Sequence, residues 1–263
     1  MSTSPRSLAR VVWPPAVFGI AFLVLWEAAV KVLDFQPYFL PAPSAIWGQF
    51  RQNTGLIWEA ARVSGGNALI GLLVGAALGV GMSFLLGRFR LVNDLMTPLA
   101  IALNAVPIFV LVAVFNNMFS ITSEVPRRLM VTLVVYFIVL VNVARGLREV
   151  ESIQLELMRS YAATEVAILR KVRVPNAVPY LFTALKIAAP ASVITAFVSE
   201  YFGGSQNGLG SRIVGSIAIS KNAAGWAYVL GACLLGLVFF LTAVALERVA
   251  TPGRVGSGER NGA

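Results

Sequence analysis

Six stretches of this chain are apolar for long enough to cross a bilayer, at about residues 13–33, 65–87, 95–118, 127–145, 180–201 and 223–247. Each offers the roughly 20 residues that span a hydrocarbon core of about 30 Å. A chain in hydrocarbon must satisfy its own backbone N–H and C=O groups, and a helix does so within one segment. The expected fold is therefore an all-α membrane protein with about six transmembrane helices. Composition agrees: 13% of the 263 residues are charged and 57% are hydrophobic, whereas soluble domains carry about 25% charge. The first run follows a short N-terminal segment, as in a signal peptide. It extends to Leu33, however, contains Trp13, Trp26 and Glu27, and lacks a small-residue cleavage site, so it reads as a retained first helix.

Charge sets the expected orientation. Arg and Lys favour cytoplasmic loops. With the N-terminus inside, the inner side holds about twice as many as the outer, including Arg145, Arg148, Arg159, Arg170, Lys171 and Arg173. Both termini are then cytoplasmic. The net charge of +9 is accounted for by this role and by contact with anionic lipid headgroups, without nucleic acid. There is no histidine, the usual metal ligand and proton shuttle, and the single Cys233 excludes a disulfide framework. Residues 1–250 read as one transmembrane domain. Residues 251–263, "TPGRVGSGERNGA", have the composition of a disordered tail.

Within the second stretch, Gly71, Gly75 and Gly79 recur every fourth residue, which lets helix backbones approach closely in lipid. Packing within the subunit is the favoured use of that stripe, over a dimer contact. The outer connection, roughly 34–64, contains "FLPAPSAIWGQFRQ". There Ser44 is placed to cap a short interfacial helix carrying Ile46, Trp47 and Phe50. Glu27 has an i,i+4 partner in Lys31.

Residues 149–179 differ from everything around them. From Glu149 to Val174 there is neither glycine nor proline, so the stretch is expected to be helical throughout. Leu155, Met158, Ala162, Leu169 and Val172 fall at helical spacing, with charges on the other faces. Pro175 is incompatible with an unbroken helix interior, and Pro179 is placed to open the fifth span near its first turn. Such an amphipathic segment, anchored at both ends in spans, is built to be gripped by another protein. The competing reading is a loop lying on the bilayer.

The same stretch resembles the "EAA" loop of permease subunits in bacterial ATP-binding-cassette importers. Glu156 supplies the Glu, Ala163 the second small residue of the following pair, and Val172, Val174 and Pro175 the close. Leu157 and Met158 stand where the first alanines belong, and Ala162 replaces the usual glycine; both departures keep helix-forming residues. "FLPAPSAIW", "PLAIALNAVP" (98–107) and "GGSQNGLGSRI" (203–213) are similar to the nitrate, sulfonate and taurine group. "VFNNMFSITSEVP" and "SEYFGG" are closer to relatives that handle pyrimidine or flavin vitamin precursors.

The resemblance implies the type I importer permease fold in a bacterial inner membrane. It also implies a homodimer of this chain, two cytoplasmic ATPase subunits and an extracytoplasmic substrate-binding protein. ATP and Mg are then bound by the ATPase, with no cofactor in this chain, which has no Gly-Lys-Ser/Thr phosphate loop. The implied coupling residues are Glu156, Arg159, Ala162, Ala163, Arg170 and Pro175.

Polar residues inside spans are expensive and face a cavity or a partner. The pathway candidates are Asn104, Asn142, Ser192, Thr195, Ser199 and Glu200. Ser192, Thr195 and Ser199 share one helix face, which serves equally well for hydrogen bonding between helices. A secondary transporter would show midplane ion-coupling residues and an internal repeat. A membrane enzyme would show a catalytic constellation inside the spans. Neither pattern is visible.

Overall fold

The computed structural model describes residues 5–88, 106–119, 123–203 and 207–250, and every regular element among them is a helix. These are α1 (Pro5–Val32), α2 (Pro43–Gln52), α3 (Thr54–Arg88), α4 (Ile108–Met118), α5 (Val125–Arg148), α6 (Ser152–Ser160) and α7 (Glu165–Ile168). A π turn (Leu169–Arg173) leads into α8 (Val174–Gly203), followed by α9 (Leu209–Ala218) and α10 (Asn222–Ala250). Five segments are long and apolar enough to cross a membrane: Trp13–Val32, Thr54–Gly87, Val125–Arg148, Glu165–Gly203 and Asn222–Ala250. The expected third span lies partly outside the described residues, and its described end is the 11-residue α4.

The bundle is built on α3 against α5, and the glycine stripe sets their distance. A Cβ added at Gly71 would lie 2.4 Å from the Val131 Cβ, one at Gly75 2.6 Å from the Thr132 carbonyl oxygen, and one at Gly79 2.8 Å from that of Tyr136. No side chain fits there, so the backbones themselves touch. Val131, Val135, Val139 and Val143 fill this seam and meet Ala184, Ala188, Val193 and Ala196 of α8. The stripe is therefore used inside the subunit. A second cluster holds α9 in place, with Leu209 and Ile213 packed on Ile57, Ala60, Ala227 and Tyr228.

Three expectations are corrected. The second span begins at Thr54 rather than near Gly65, because burial of Ile57, Ala60 and Ser64 offsets the roughly 1 kcal/mol that a helical glycine costs. Ser44 does not cap α2: Ala42 is the N-cap, with Pro43 in the first turn. Ser44 instead gives its backbone N–H (3.0 Å) and hydroxyl (2.8 Å) to the Glu27 carboxylate, which also pairs with Lys31 at 2.8 Å. Pro179 lies inside α8 rather than opening it.

The helix also runs through Pro175. Val174 N–H bonds the Leu169 carbonyl, an i→i−5 step. Pro175, which has no N–H to offer, comes directly after this widened turn, and the helix absorbs it there.

Helix α1 stands apart. Only 6% of its apolar window is buried. It is tied to the rest through the Glu27–Ser44 bonds and an edge contact of Trp26 on Trp226, with ring centroids 5.6 Å apart.

Candidate functional site

The polar insert is a helical hairpin, not one helix. α6 stops in a Schellman turn: Ala163 N–H bonds the Met158 carbonyl at 3.0 Å and Ala162 N–H that of Arg159 at 2.9 Å. Ala162 takes the left-handed conformation, with φ 50°, at the position where the importer pattern carries glycine. Thr164 then caps α7, its Oγ1 accepting from Ala167 N–H at 3.3 Å. The expectation of an unbroken helix fails because these two local motifs outweigh a sequence without helix breakers.

No residue of α6 is buried. Ile153, Leu157 and Tyr161, four apart and so on one face, are 69%, 56% and 76% exposed, and Val166 is 70% exposed. Glu156, Arg159, Ala162, Arg170 and Pro175 are exposed beside them, and Ala163 is half-buried in the turn. Of the apolar face read from the sequence, Leu155, Met158, Leu169 and Val172 are half-buried, and Ala162 is exposed in the turn. The exposed stripe was missed there because its members alternate with charges. The exposed i,i+4,i+8 spacing of Ile153, Leu157 and Tyr161 was the available signal.

A polar lock fixes the hairpin to the spans. Asn176 Nδ2 donates to the carbonyls of Gly146 (2.8 Å) and Glu149 (2.9 Å) at the end of α5, satisfying acceptors that a helix end leaves open. Tyr180 Oη donates to Glu149 Oε2 at 2.8 Å, and Arg145 Nε bonds Glu149 Oε1 at 2.7 Å. The Arg145 bond first, then the Tyr180 bond, hold the Glu149 carboxyl below the usual carboxylate range. At Gly146 a Cβ would meet the Tyr180 ring at 2.7 Å. None of this lock was singled out from the sequence except Arg145.

The polar groups inside the spans fall into separate sets. Ser192 Oγ donates to the Ala189 carbonyl (2.7 Å) and Thr195 Oγ1 to that of Ala191 (2.8 Å), both on their own helix rather than across to another. Asn142 likewise bonds Ile138 at 2.7 Å. Ser199 is buried and its Oγ has no partner among the described residues. Asn104 lies outside the described residues. An apolar cavity of about 530 Å³ between α8 and α10, lined by Pro190, Ile194, Phe197, Val229, Cys233 and Leu237 among others, includes none of these polar groups.

Glu200 is buried at the end of α8 remote from the hairpin. Its Oε2 accepts from Ser64 Oγ (2.7 Å) and from Gly210 N–H (3.1 Å), while Ser64 Oγ accepts from Leu209 N–H at 2.9 Å. Nearby, Glu124 accepts from Asn67 and from the buried Arg127, and Arg128 Nε bonds Asn67 Oδ1 at 3.0 Å. Lys186 of α8 pairs with Glu247 of α10 at 2.8 Å. These ion pairs were not foreseen, since their members are far apart in sequence or were counted only as loop charges.

Long apolar helices around a glycine-packed seam, joined by a polar helix–turn–helix, define a multi-pass membrane protein with the type I importer permease architecture. The chain belongs to the family of binding-protein-dependent transport system inner membrane components, whose model matches residues 71–253.

Relatives agree across nearly the whole length. A probable ABC transporter permease protein of Haemophilus influenzae is 27% identical over 87% of this chain and 90% of its own. The formylaminopyrimidine transport permease protein ThiX of Halalkalibacterium halodurans is 28% identical over 91% and 95%. The riboflavin transport system permease protein RibX of Chloroflexus aurantiacus is 25% identical over 95% and 94%. An inward-facing structure of the MetNI methionine ABC transporter matches 74% of this chain and 94% of its own, with a TM-score of 0.57 at 19% identity, a likeness of fold.

Proposed function

We propose that this permease forms the translocation pathway of an ATP-driven importer and is gripped by its ATPase through the hairpin of residues 149–179. The observation that carries the reading is the exposed stripe of Ile153, Leu157, Tyr161 and Val166. Ile153 and Leu157 lie on a helix with no buried residue, Tyr161 caps it and Val166 follows on α7, so a protein surface is needed to cover the stripe. Glu156, Arg159 and Arg170 flank the stripe as polar rim contacts, and Ala163 sits in the turn between the two helices. Two ATPase subunits bind ATP and Mg on the cytoplasmic side. A second copy of this chain completes the pathway, a reading supported by the sparsely covered α1. An extracytoplasmic binding protein delivers the solute; the pathway candidates are Asn104, Asn142, Ser192, Thr195, Ser199 and Glu200, the last of which also holds α9.

The solute class that fits best is a small heteroaromatic vitamin precursor of pyrimidine or flavin type. The relatives named for formylaminopyrimidine and riboflavin align over more than nine-tenths of this chain. Those named for aliphatic sulfonates and taurine in Escherichia coli align over 89% and 88%, at 23% and 20% identity. Binding of such precursors, sulfonates and taurine to the cognate binding protein decides between them.

The grip is tested by co-purification of the ATPase with variants of the full chain. Leu157→Asp places a carboxylate in the stripe without touching this chain's own core. It should abolish co-purification, since burying an unpaired charge costs several kcal/mol and a micromolar complex is only about 8 kcal/mol deep. Lys171→Ala, at an exposed base, should weaken it by well under tenfold, as exposed pairs contribute about 0–1 kcal/mol. Full binding by Leu157→Asp would remove the stripe from the interface.

A further inference from the structure

We propose that Glu200 and Ser64 are positioning residues that form a latch, holding α9 against α3 and α8 on the side of the bundle opposite the hairpin. A helix usually satisfies its first N–H groups with the side chain of its own N-cap residue. At α9 that residue is Gly208, which has none. The cap is supplied in trans instead. Leu209 N–H goes to Ser64 Oγ of α3, and Gly210 N–H to Glu200 Oε2 of α8. Ser64 links the two by donating to Glu200.

Gly208 admits the carboxylate, and Gly210 lets α9 approach the backbone of α8. A Cβ at Gly208 would lie 2.1 Å from the Glu200 carboxyl carbon, and one at Gly210 2.3 Å from the Phe197 carbonyl oxygen. Gly208-Leu209-Gly210 is thus the receiving half of a contact whose inserting half is Glu200.

Two further facts make this a latch rather than a fixed joint. Only one carboxylate oxygen is engaged: Oε1 is buried without a partner among the described residues. A node of three hydrogen bonds is a fastening that ATP-driven motion can break. The pin also sits on the helix that leads from the hairpin. The helix that carries Glu200 is continuous from Glu165 at the hairpin to Gly203. Displacement of the hairpin reaches Glu200 along this helix, past the π turn and Pro179 and Pro190, and draws it from the α9 N-terminus. Any effect on uptake rests on the transport reading above; the contact itself does not.

The experiment uses the full-length permease with its ATPase in proteoliposomes, with the binding protein supplied and labelled riboflavin or formylaminopyrimidine as the transported probe. E200A should lower coupled uptake about tenfold, the scale of a lost cap, and should raise ATP hydrolysis in the absence of binding protein. E200Q keeps an acceptor oxygen for Gly210 N–H and should hold uptake within about threefold with low basal hydrolysis. G208A should mimic E200A by expelling the carboxylate. Added to E200A it should cost less than about twofold more, because its clash partner is gone. The same non-additivity should appear in thermal unfolding of the purified permease, which reads the contact without any transport. Additive losses in the double variant, or full coupling by E200A, would overturn the latch. A wild-type complex that takes up nothing would refute the transport reading and leave the unfolding cycle as the test of the contact.

Discussion

At residue scale the least expected feature is Ala162 at φ 50°. A side chain there crowds the following carbonyl and costs roughly 1–2 kcal/mol that glycine avoids. Ala162→Gly should therefore raise stability by about 1 kcal/mol, read by thermal unfolding of the purified permease, and Ala162→Val should lower it. An unchanged midpoint in both would mean that the turn is not left-handed in solution. Glu149 offers a pH-dependent counterpart. Its folded value lies below the ordinary carboxylate value of 4.5, so its contribution is present above that value and lost as pH falls through the folded one. Hydrogen exchange of residues 149–160 should accelerate as pH is lowered from about 6 to about 3, once intrinsic rates are divided out. Glu149→Gln should flatten that profile, and a flat wild-type profile would detach Glu149 from the lock. Ala162 was visible in the sequence as the substitute for a glycine, but its conformation was not. Helix propensity reads each residue alone, whereas the turn is decided by where the Met158 and Arg159 carbonyls find donors.

At element scale α8 joins the hairpin, the glycine-packed core and the Glu200 node, and Lys186–Glu247 ties it to α10. Both side chains are mostly shielded, at 29% and 20% exposure, and a lone charge in a span is costly. Lys186→Met removes this ion pair and should cost about 1 kcal/mol, between the exposed and the fully buried cases. Lys186→Glu with Glu247→Lys should recover most of that. Thermal unfolding and uptake of the two variants check the pair, and a swap no better than the single change would show that the charges do not act together. The spanning elements were legible because hydrophobic length is a property of each segment by itself. Helix starts were less so. Thr54–Ser64 is moderately polar and precedes two glycines, and its helicity depends on Ile57 and Ala60 packing against α9 and α10, contacts made by residues far along the chain. The trans cap at Glu200 is of the same kind. Glu200 was singled out as an expensive intramembrane acid, while its partners Ser64 and Gly210 lie 136 and 10 residues away.

At the scale of the whole molecule, the 39 residues from Glu165 to Gly203 form one helix, about 58 Å long at 1.5 Å per residue. The hydrocarbon core is about 30 Å thick, so the two ends must lie on opposite sides of the membrane, with the hairpin end standing well clear of the lipid. That geometry gives an ATPase a continuous helical arm to push. It also makes the orientation testable without reference to any partner. Single cysteines at Thr164, which caps α7 beside the exposed stripe, and at Ser220, exposed between α9 and α10, are placed in a Cys233→Ala background. They should react with an impermeant maleimide from opposite faces. The bias of Arg and Lys around the hairpin predicts that Thr164→Cys is protected in intact cells and labelled in inverted vesicles, and that Ser220→Cys behaves in the reverse way. Labelling of both from one side would break the continuous helix. Labelling from opposite sides in the reverse sense would keep the helix but invert the molecule, placing the Leu157 stripe where no ATPase can reach it.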